Sequence, residues 1–182
     1  SFVFNKGSVP YGAKSGKKYW QTLGGECISS GGMYTPVYVD ENAKALAIML
    51  NSNHSNIIKA ISTYFMNNDV DEICPTAAIE APLGFLDKNN KKYQTWDVCA
   101  QIMLGANYLN ENGILHTDLT CGSVVVYQIN KRYVPRITNL DKTKFLNQFR
   151  NPNCGAADVE DLLTFNNTED CGHIILNLLG KN

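Results

Sequence analysis

The sequence predicts an α+β fold in which strands and helices are largely segregated along the chain. In the first half, short β-prone segments surround one helix-forming segment at residues 41–50. A long segment of helical period follows at residues 95–111, and a hairpin-like pair of strands then precedes an apolar terminal helix. The chain has 182 residues, which is typical of one domain with a substantial core, so we expect a single domain spanning 1–182.

The first half of the chain predicts an arm, a helix and several strands. Residues 1–18 combine Gly, Ser, Pro and Lys and are typical of an extended arm. Residues 41–50 contain strong helix formers and begin with Glu41, which favours a helix N-terminus. The β-prone segments predicted to form strands or strand-loop segments are 19–23, 34–39, 57–65 and 73–79.

The second half predicts two helices and a β-hairpin. Thr95 can cap the helix at 95–111, and Gly113 can end it. Residues 124–129 and 133–137 flank Asn130-Lys131-Arg132 and predict a hairpin, whereas 138–168 predict loops and 170–179 a final helix. The apolar face of the long helix recurs at helical spacing as Val98, Ile102, Gly105 and Leu109.

The composition excludes several classes of function. The formal net charge is -1, so we expect no nucleic-acid partner. No apolar run approaches the ~20 residues that a membrane span needs. With only 3 His and no Cys-x-x-Cys pair, the chain lacks the pattern of a structural zinc site, and we expect no metal.

The stretch most informative for function is 113–127. His116, Asp118 and Leu119 stand at the spacing of the protein kinase motif His-Arg-Asp-Leu, which precedes an Asn and a short apolar strand. Three consecutive valines, 124–126, supply that strand. The stretch therefore resembles a kinase catalytic loop in which Thr117 replaces the Arg and Ser123 replaces the metal-binding Asn.

The resemblance continues along the chain in the order of the family's segments. It implies a protein kinase-like two-lobe fold, with 1–80 as a reduced N-lobe carrying an N-terminal arm and 81–182 as a C-lobe shortened after the helix that kinases call αF. The further segments resemble the start of the Gly-rich loop (23–27), the third strand (37–40), the turn after the αC helix (53–58), the hinge (79–86), the strand before Asp-Phe-Gly (136–141) and the segment that opens the αF helix (166–181).

The departures from the family pattern predict a loss of phosphotransferase activity. Phosphoryl transfer needs a Lys on the phosphates and divalent cations held by side chains. Asp40 stands at the position of that Lys, and Asn139 replaces the metal-binding Asp. Of the catalytic set only Asp118 remains, although Lys44 or Lys142 could stand in for the missing Lys. We therefore expect no cofactor, and the remnant nucleotide cleft is predicted at Gly24, Gly25, Asp40 and Glu80.

The resemblance implies structural roles for what remains of the catalytic loop. His116 is expected to pack beneath the loop, and Asp118 to accept backbone N–H groups there. Asp170 stands at the αF Asp position and is expected to bond the loop backbone from the helix. If the chain ends after this helix, two helices lack the cover they have in kinases, and the bare apolar face predicts a protein partner or self-association.

The cysteines and sequons bear on the compartment. The 6 Cys allow two interpretations: free thiols in a cytosolic protein, or three disulfides in a secreted one. The sequons at Asn53 and Asn166, and a first residue Ser1 that is not Met, favour a secreted glycoprotein. The kinase resemblance implies the disulfide pairs Cys99–Cys171, Cys121–Cys154 and Cys27–Cys74.

These observations predict a secreted, non-catalytic, pseudokinase-like binding protein. Its ligand is predicted to be another protein, a second copy of the chain, or a small molecule in the remnant cleft. Two alternatives stay open. One is an atypical phosphotransferase or other nucleotide-using enzyme that relies on Asp118, and the other is a structural or matrix protein.

Overall fold

A computed structural model of the chain describes residues 2–3, 25–27, 33–38, 44–67, 73–145 and 167–180. The strands are β1 (Phe2–Val3), β2 (Gly25–Cys27), β3 (Met33–Tyr38), β4 (Ser62–Asn67), β5 (Ile73–Glu80), β6 (Gly84–Phe85), β7 (Ile114–Leu115), β8 (Val124–Ile129), β9 (Arg132–Ile137) and β10 (Lys144–Phe145). The helices are α1 (Lys44–Asn51), α2 (Thr95–Glu111) and α3 (Asn167–Leu178). The predicted α+β class is confirmed.

One antiparallel sheet contains the first five described strands, β1 to β5. Its five strands lie in the order β1-β2-β3-β5-β4, so β3 and β5 are neighbours although α1 and β4 separate them in sequence. The strand predicted at 34–39 is β3, and the one predicted at 73–79 is β5. The segment predicted at 57–65 is a strand only from Ser62 onward, because Ile57 and Ile58 instead bond to β9.

The long helix of the second half is confirmed at residues 95–111, which are the bounds of α2. The N-cap, however, is Gln94, whose extended backbone leaves Thr95 as the first helical residue, so the cap predicted at Thr95 is wrong. The Gln94 side chain makes no capping hydrogen bond. Gly113 follows the helix with a φ of 66°, in keeping with its predicted role as a stop.

The hairpin of β8 and β9 positions one wall of the candidate site. Its turn consists of Asn130 and Lys131, with φ values of 51° and 67°, and Arg132 already pairs with Ile129 in the ladder. Two consecutive positive φ values are the requirement of the tight turns that match strand twist. The hairpin then leads the chain from Ile137 directly back toward the loop at 116–123.

A turn at residues 53–58 attaches the first half of the chain to the second. The Ile58 N–H donates to the Ile137 carbonyl at 2.9 Å, and the Ile137 N–H donates to the Asn56 carbonyl at 2.8 Å. The buried Asn56 side chain donates to Gln101 Oε1 at 3.0 Å and to the Pro135 carbonyl at 2.9 Å. Helix α2 approaches this turn at Gly105, where an added Cβ atom lies 3.0 Å from the Asn56 carbonyl oxygen.

The predicted disulfide pairs are not present among the described thiols. Cys99, Cys121 and Cys171 are free, whereas Cys154 lies outside the described residues. The sheet order separates Cys27 on β2 from Cys74 on β5, since β3 lies between their strands.

The strand registers also argue against a Cys27–Cys74 bond. Glu26 lies opposite Met33, whereas Thr76 lies opposite Tyr38 at the other end of β3. At ~3.3 Å per residue, this register places Cys27 and Cys74 more than about 16 Å apart along the sheet. A disulfide needs Cα atoms within about 7 Å, so this predicted pair is wrong.

Within the part of the chain that the structure describes, no helix combines the length and the apolar character needed to cross a membrane.

Candidate functional site

The candidate site is the loop at residues 116–123, which is fixed from below by the buried His116. This side chain has no exposed surface, and its Nε2 lies 2.7 Å from the Thr138 carbonyl oxygen. Its Nδ1 accepts the backbone N–H of Asp118 at 3.2 Å, so the other ring nitrogen carries the proton. Burial lowers the pKa of His116, although the Thr138 carbonyl and the Asp118 charge raise it in part. His116 is therefore a neutral support beneath the loop, as predicted.

Two other predicted remnant residues, Asn139 and Ser123, contact Asp118, which is only partly buried. Asn139 Nδ2 lies 3.4 Å from Asp118 Oδ2, and the Ser123 hydroxyl donates to the Asp118 backbone carbonyl. Asn139 is held in the left-handed region, with a φ of 59°, between β9 and the 3₁₀ turn Leu140–Lys142. The backbone thus brings Asp118, Ser123 and Asn139 together in the arrangement that their motif spacing predicts.

Thr117 fastens the loop to the segment after Asn139. Its Oγ1 donates to the Lys142 carbonyl at 2.8 Å, and its φ of 69° is unusual for a β-branched residue. The loop is also held at its far end, where the Thr138 N–H donates to the Ser123 carbonyl at 2.8 Å. This strain and these bonds show that the loop conformation is tightly specified by its surroundings.

Asn167, a residue that the sequence analysis missed, anchors the loop from helix α3. Its Oδ1 accepts the His116 N–H at 2.9 Å, and its Nδ2 donates to the Ile114 carbonyl at 2.7 Å and to Asn110 Oδ1 at 2.8 Å. The role predicted for Asp170 is therefore filled by Asn167, one helical turn earlier. The available signal was the pair Asn166-Asn167 at the start of an apolar helix, which is typical of a helix cap.

Asp170 lies close enough to Asp118 for the two carboxylates to affect each other. Burial raises the pKa of Asp170, the charges of Glu169 and Asp118 raise it further, and His173 opposes them. Asp170 makes no described hydrogen bond to the loop backbone. It contributes negative charge beside the loop, where Asp118 already lies.

The predicted cleft residues do not form one cluster in the described structure. Gly25 lies in β2, opposite Tyr34, rather than in a loop, and Gly24 and Asp40 fall outside the described residues. Glu80 is exposed at the end of β5, where its Oε2 lies 3.5 Å from Arg136 Nη1. The Glu80 carbonyl also accepts the Tyr127 hydroxyl at 2.6 Å, so this residue is tied to the β8–β9 hairpin.

The remaining predicted residues have varied surroundings. Asn53 is exposed, and its backbone N–H donates to the Tyr108 hydroxyl at 3.2 Å. Asn166 lies outside the described residues. Lys44 begins α1, and Lys142 is exposed in the 3₁₀ turn after Asn139.

The chemistry that the loop can perform is limited by the groups that face Asp118. Asn139 presents a neutral amide, and Ser123 directs its hydroxyl proton toward a backbone carbonyl. Among the described residues no group of three His, Cys, Asp or Glu side chains is placed to hold a metal ion. The arrangement can accept a hydrogen bond at Asp118, but Asn139 and Ser123 add no carboxylate to it, and carboxylate oxygens are the ligands that hard divalent cations prefer.

Comparisons with known proteins identify the fold and the family. The sequence model of the protein tyrosine and serine/threonine kinase family matches residues 35–140. Serine/threonine-protein kinase 10 of Danio rerio is 29% identical over 82 residues, which are 43% of this chain and 8% of that protein. The alpha subunit of the inhibitor of nuclear factor kappa-B kinase from Xenopus laevis is 32% identical over 117 residues, covering 57% of this chain and 15% of the relative.

Solved structures agree on the fold. The crystal structure of Rad53 kinase domain and SCD2 matches with a TM-score of 0.61 at 15% identity, covering 87% of this chain and 62% of that one. This likeness shows the fold alone. The chain spans between 8 and 9% of the length of the first curated relatives. The family match covers more than half of the chain and contains the loop at 116–123, so the chain belongs to the protein tyrosine and serine/threonine kinase family.

Proposed function

We propose that this kinase-like domain is a binding module without phosphotransferase activity. The observation that carries the proposal is the surroundings of Asp118, where Asn139 and Ser123 stand at the positions of the family's two metal-binding side chains. An amide in place of a carboxylate removes one negative charge from the place where divalent cations neutralise phosphates. Asp118 alone cannot supply that neutralisation.

The loop keeps its structural supports while its chemical groups differ from those of the family. His116, Thr117 and Asn167 each hold the backbone by hydrogen bonds of 2.7 to 2.9 Å. Such anchors maintain the fold of the lobe whether or not the loop transfers a phosphoryl group. A preserved scaffold with altered metal positions favours binding over catalysis, because function depends on the groups of the site rather than on the fold.

The first test is a thermal-shift titration with ATP, with and without magnesium or manganese. A ligand at ~100 times its dissociation constant adds roughly 2.7 kcal/mol of stability, which is easily measured. We expect no metal-dependent rise in melting temperature at millimolar ATP. A clear rise that requires the metal contradicts the proposal.

The second candidate is an atypical phosphotransferase that relies on Asp118. The observation in its favour is that Asp118 is only partly buried and that its carboxylate contacts a neutral side chain, so it can still accept a proton from a substrate hydroxyl. The relatives described above are also named as kinases.

Asp118→Asn separates the two candidates. It preserves the backbone bonds that Asp118 makes to His116 and Ser123, because both involve main-chain atoms of residue 118. Phosphate transfer from ATP that disappears in this variant, at an unchanged melting temperature, would establish the second candidate. A binding module shows no transfer in either protein.

Secretion and glycosylation are also proposals. The exposed position of Asn53 supports glycosylation at that sequon, whereas the free thiols of Cys99, Cys121 and Cys171 remove one argument for an oxidising compartment. Expression in secreting cells, followed by treatment with an N-glycosidase, tests both. A mass change at Asn53 in the secreted protein supports both proposals, an unmodified secreted protein opposes glycosylation alone, and an unmodified protein retained in the cells opposes both.

A further inference from the structure

A cleft outside the catalytic loop lies between the start of α2 and the turn of the β8–β9 hairpin. Its volume is about 330 Å³. Val98 and Tyr133 contribute its apolar surface, while Lys92, Gln94, Asn130 and Lys131 contribute polar groups. The volume is at the small end of the range for ligand sites, and is large enough to receive a few side chains of an extended peptide.

The walls of this cleft are held in place by a network around Asp97. Arg132 donates to Asp97 through Nε at 2.9 Å and through Nη2 at 2.5 Å. Gln101 Nε2 donates to the same carboxylate at 3.1 Å and to the Tyr133 carbonyl at 2.9 Å. Helix α2 and the hairpin are thus joined by a bidentate ion pair and a buried amide. A preformed cleft loses less conformational entropy when a ligand binds.

The same network leaves the cleft with an excess of positive charge. Hydrogen bonds from Arg132 lower the pKa of Asp97, so its carboxylate is ionised and paired with that guanidinium. Lys92 and Lys131 are exposed, and neither has an ion-pair partner among the described residues. Asp97 and Arg132 cancel, and these two lysines set the sign of the potential in the cleft.

Two amide side chains beside the lysines are also available to a ligand. Gln94 is the N-cap residue of α2 but makes no side-chain capping bond, and Asn130 makes no side-chain hydrogen bond within the described part of the chain. Each amide can donate to and accept from a peptide backbone. Two cations and two free amides around an apolar surface complement a polypeptide with carboxylate side chains.

We propose that this Lys92–Lys131 cleft binds an acidic peptide segment of a partner protein. Carboxylates of the segment pair with Lys92 and Lys131, and its main chain bonds to the amides of Gln94 and Asn130. The cleft lies apart from Asp118 and its neighbours, so the proposal does not depend on whether the loop transfers phosphate. It gives the domain a specific partner chemistry.

The test is a fluorescence-anisotropy titration of a labelled peptide of alternating Glu and Gly, at low salt. The double variant Lys92→Glu/Lys131→Glu is expected to weaken binding by about tenfold or more, since it reverses both contacts. The matched control is Lys59→Glu/Lys88→Glu, which makes the same change in net charge at exposed lysines that do not line the cleft. The control is expected to retain most of the affinity, and melting temperatures establish that both variants are folded.

A second variant tests the amide contact without disturbing the turn. Glycine tolerates the φ of 51° at position 130, so Asn130→Gly removes the side-chain amide without straining the turn. We therefore expect a few-fold loss of affinity for the acidic peptide. The proposal is overturned if the acidic peptide fails to bind, or if the control double variant weakens binding as much as the cleft variant. It is also overturned if a single-stranded oligonucleotide of equal charge binds more tightly and responds to the same variants.

Discussion

The side-chain oxygen of Asn167 accepts a hydrogen bond of 2.9 Å from the backbone N–H of His116. The amide nitrogen of the same residue donates to the Ile114 carbonyl at 2.7 Å. One buried side chain therefore satisfies a backbone donor and a backbone acceptor on either side of Leu115. An Asn is suited to this position because it carries both a donor and an acceptor, whereas Asp offers only acceptors when ionised.

Asn167→Ala is expected to destabilise the domain by about 2–4 kcal/mol, because it leaves buried backbone groups without partners. Asn167→Asp is expected to lie between this variant and the wild type, since it can still accept from His116 but cannot donate to Ile114. Urea unfolding measures both. The control is Asn177→Ala on the same helix, whose side chain makes no described hydrogen bond. Equal losses for Asn167→Ala and Asn177→Ala would contradict the anchoring role.

The two glycines of helices α2 and α3 are expected to respond to alanine in opposite directions. At Gly105 an added Cβ lies 3.0 Å from the Asn56 carbonyl oxygen and 3.1 Å from Ile137 Cδ1. That oxygen already accepts the Ile137 N–H and cannot move cheaply. We therefore expect Gly105→Ala to cost about 1–3 kcal/mol, despite the better helix propensity of alanine.

Gly172 provides the matched comparison, because nothing lies within 4 Å of its added Cβ. Gly172→Ala is expected to stabilise the domain by roughly 0.5–1 kcal/mol through helix propensity alone. Thermal unfolding of both variants measures the difference in sign. A stabilising Gly105→Ala would show that α2 and the 53–58 turn are less closely packed than the structure describes.

Stability is expected to fall as the pH is lowered through the ordinary pKa of histidine. Burial lowers the pKa of His116 below its usual 6.5. As the pH falls, this side chain therefore binds a proton in the unfolded chain before it does so in the folded protein. The stability that the neutral His116 contributes is fully present above pH 6.5. It is lost as the pH falls from there toward the lowered pKa of His116 in the folded protein. The slope is at most about 1.4 kcal/mol per pH unit for one such group.

Urea unfolding between pH 7.5 and 5.5 checks this expectation in the wild type and in two variants, His116→Gln and His54→Gln. His116→Gln is expected to reduce the pH dependence as well as the stability. His54→Gln is the control: the pKa of His54 is also lowered by burial, but this side chain is partly exposed, so most of the slope should persist. A slope that is unchanged in His116→Gln rules out His116 as its source.

The three described thiols are expected to react at different rates with a maleimide in the native protein. Burial raises the pKa of Cys171 to about 11, helped by the neighbouring Cys99, and both side chains are buried. Cys121 is less buried, and the nearby Lys88 offsets part of the rise in its pKa. We expect Cys121 to be labelled first, because the thiolate is the reactive form and needs access to the reagent.

Peptide mapping by mass spectrometry identifies the labelled residues. Labelling of all three described cysteines is expected once the protein is unfolded without a reductant. A peptide pair joined through Cys99 and Cys171 would contradict the free thiols of the structure. It would also restore the argument for an oxidising compartment.

The sequence predicted the elements that local patterns define. The helix at residues 95–111 follows from apolar spacing together with Gly113, and its bounds were correct. The grouping of Asp118, Ser123 and Asn139 followed from motif spacing, because the loop and the strands after it are contiguous in the chain. The residue that anchors the loop was not predictable in the same way. Asp170 has the expected charge, but helix α3 begins at Asn167, so the side chain that reaches the loop is one turn earlier.

The predicted Cys27–Cys74 pair failed for a different physical reason. Cysteine number and order carry no information on which strands are neighbours or on their register. The position of β3 between β2 and β5 separates Cys27 from Cys74, and that order depends on pairing between strands far apart in sequence. The prediction of Thr95 as the N-cap failed because the backbone torsions of a single residue decide whether the helix begins after Gln94 or after Thr95.

The turn at residues 53–58 has a mechanical consequence. The five-stranded sheet is connected to the helical half by the chain at residues 81–83, and a second time by this turn, which bonds to β9 and contacts Gly105 of α2. A second attachment restricts the bending that a single connection at residues 81–83 would allow. We therefore expect loss of the Asn56 side-chain bonds to α2 and β9 to loosen the attachment of the sheet as well as to lower stability.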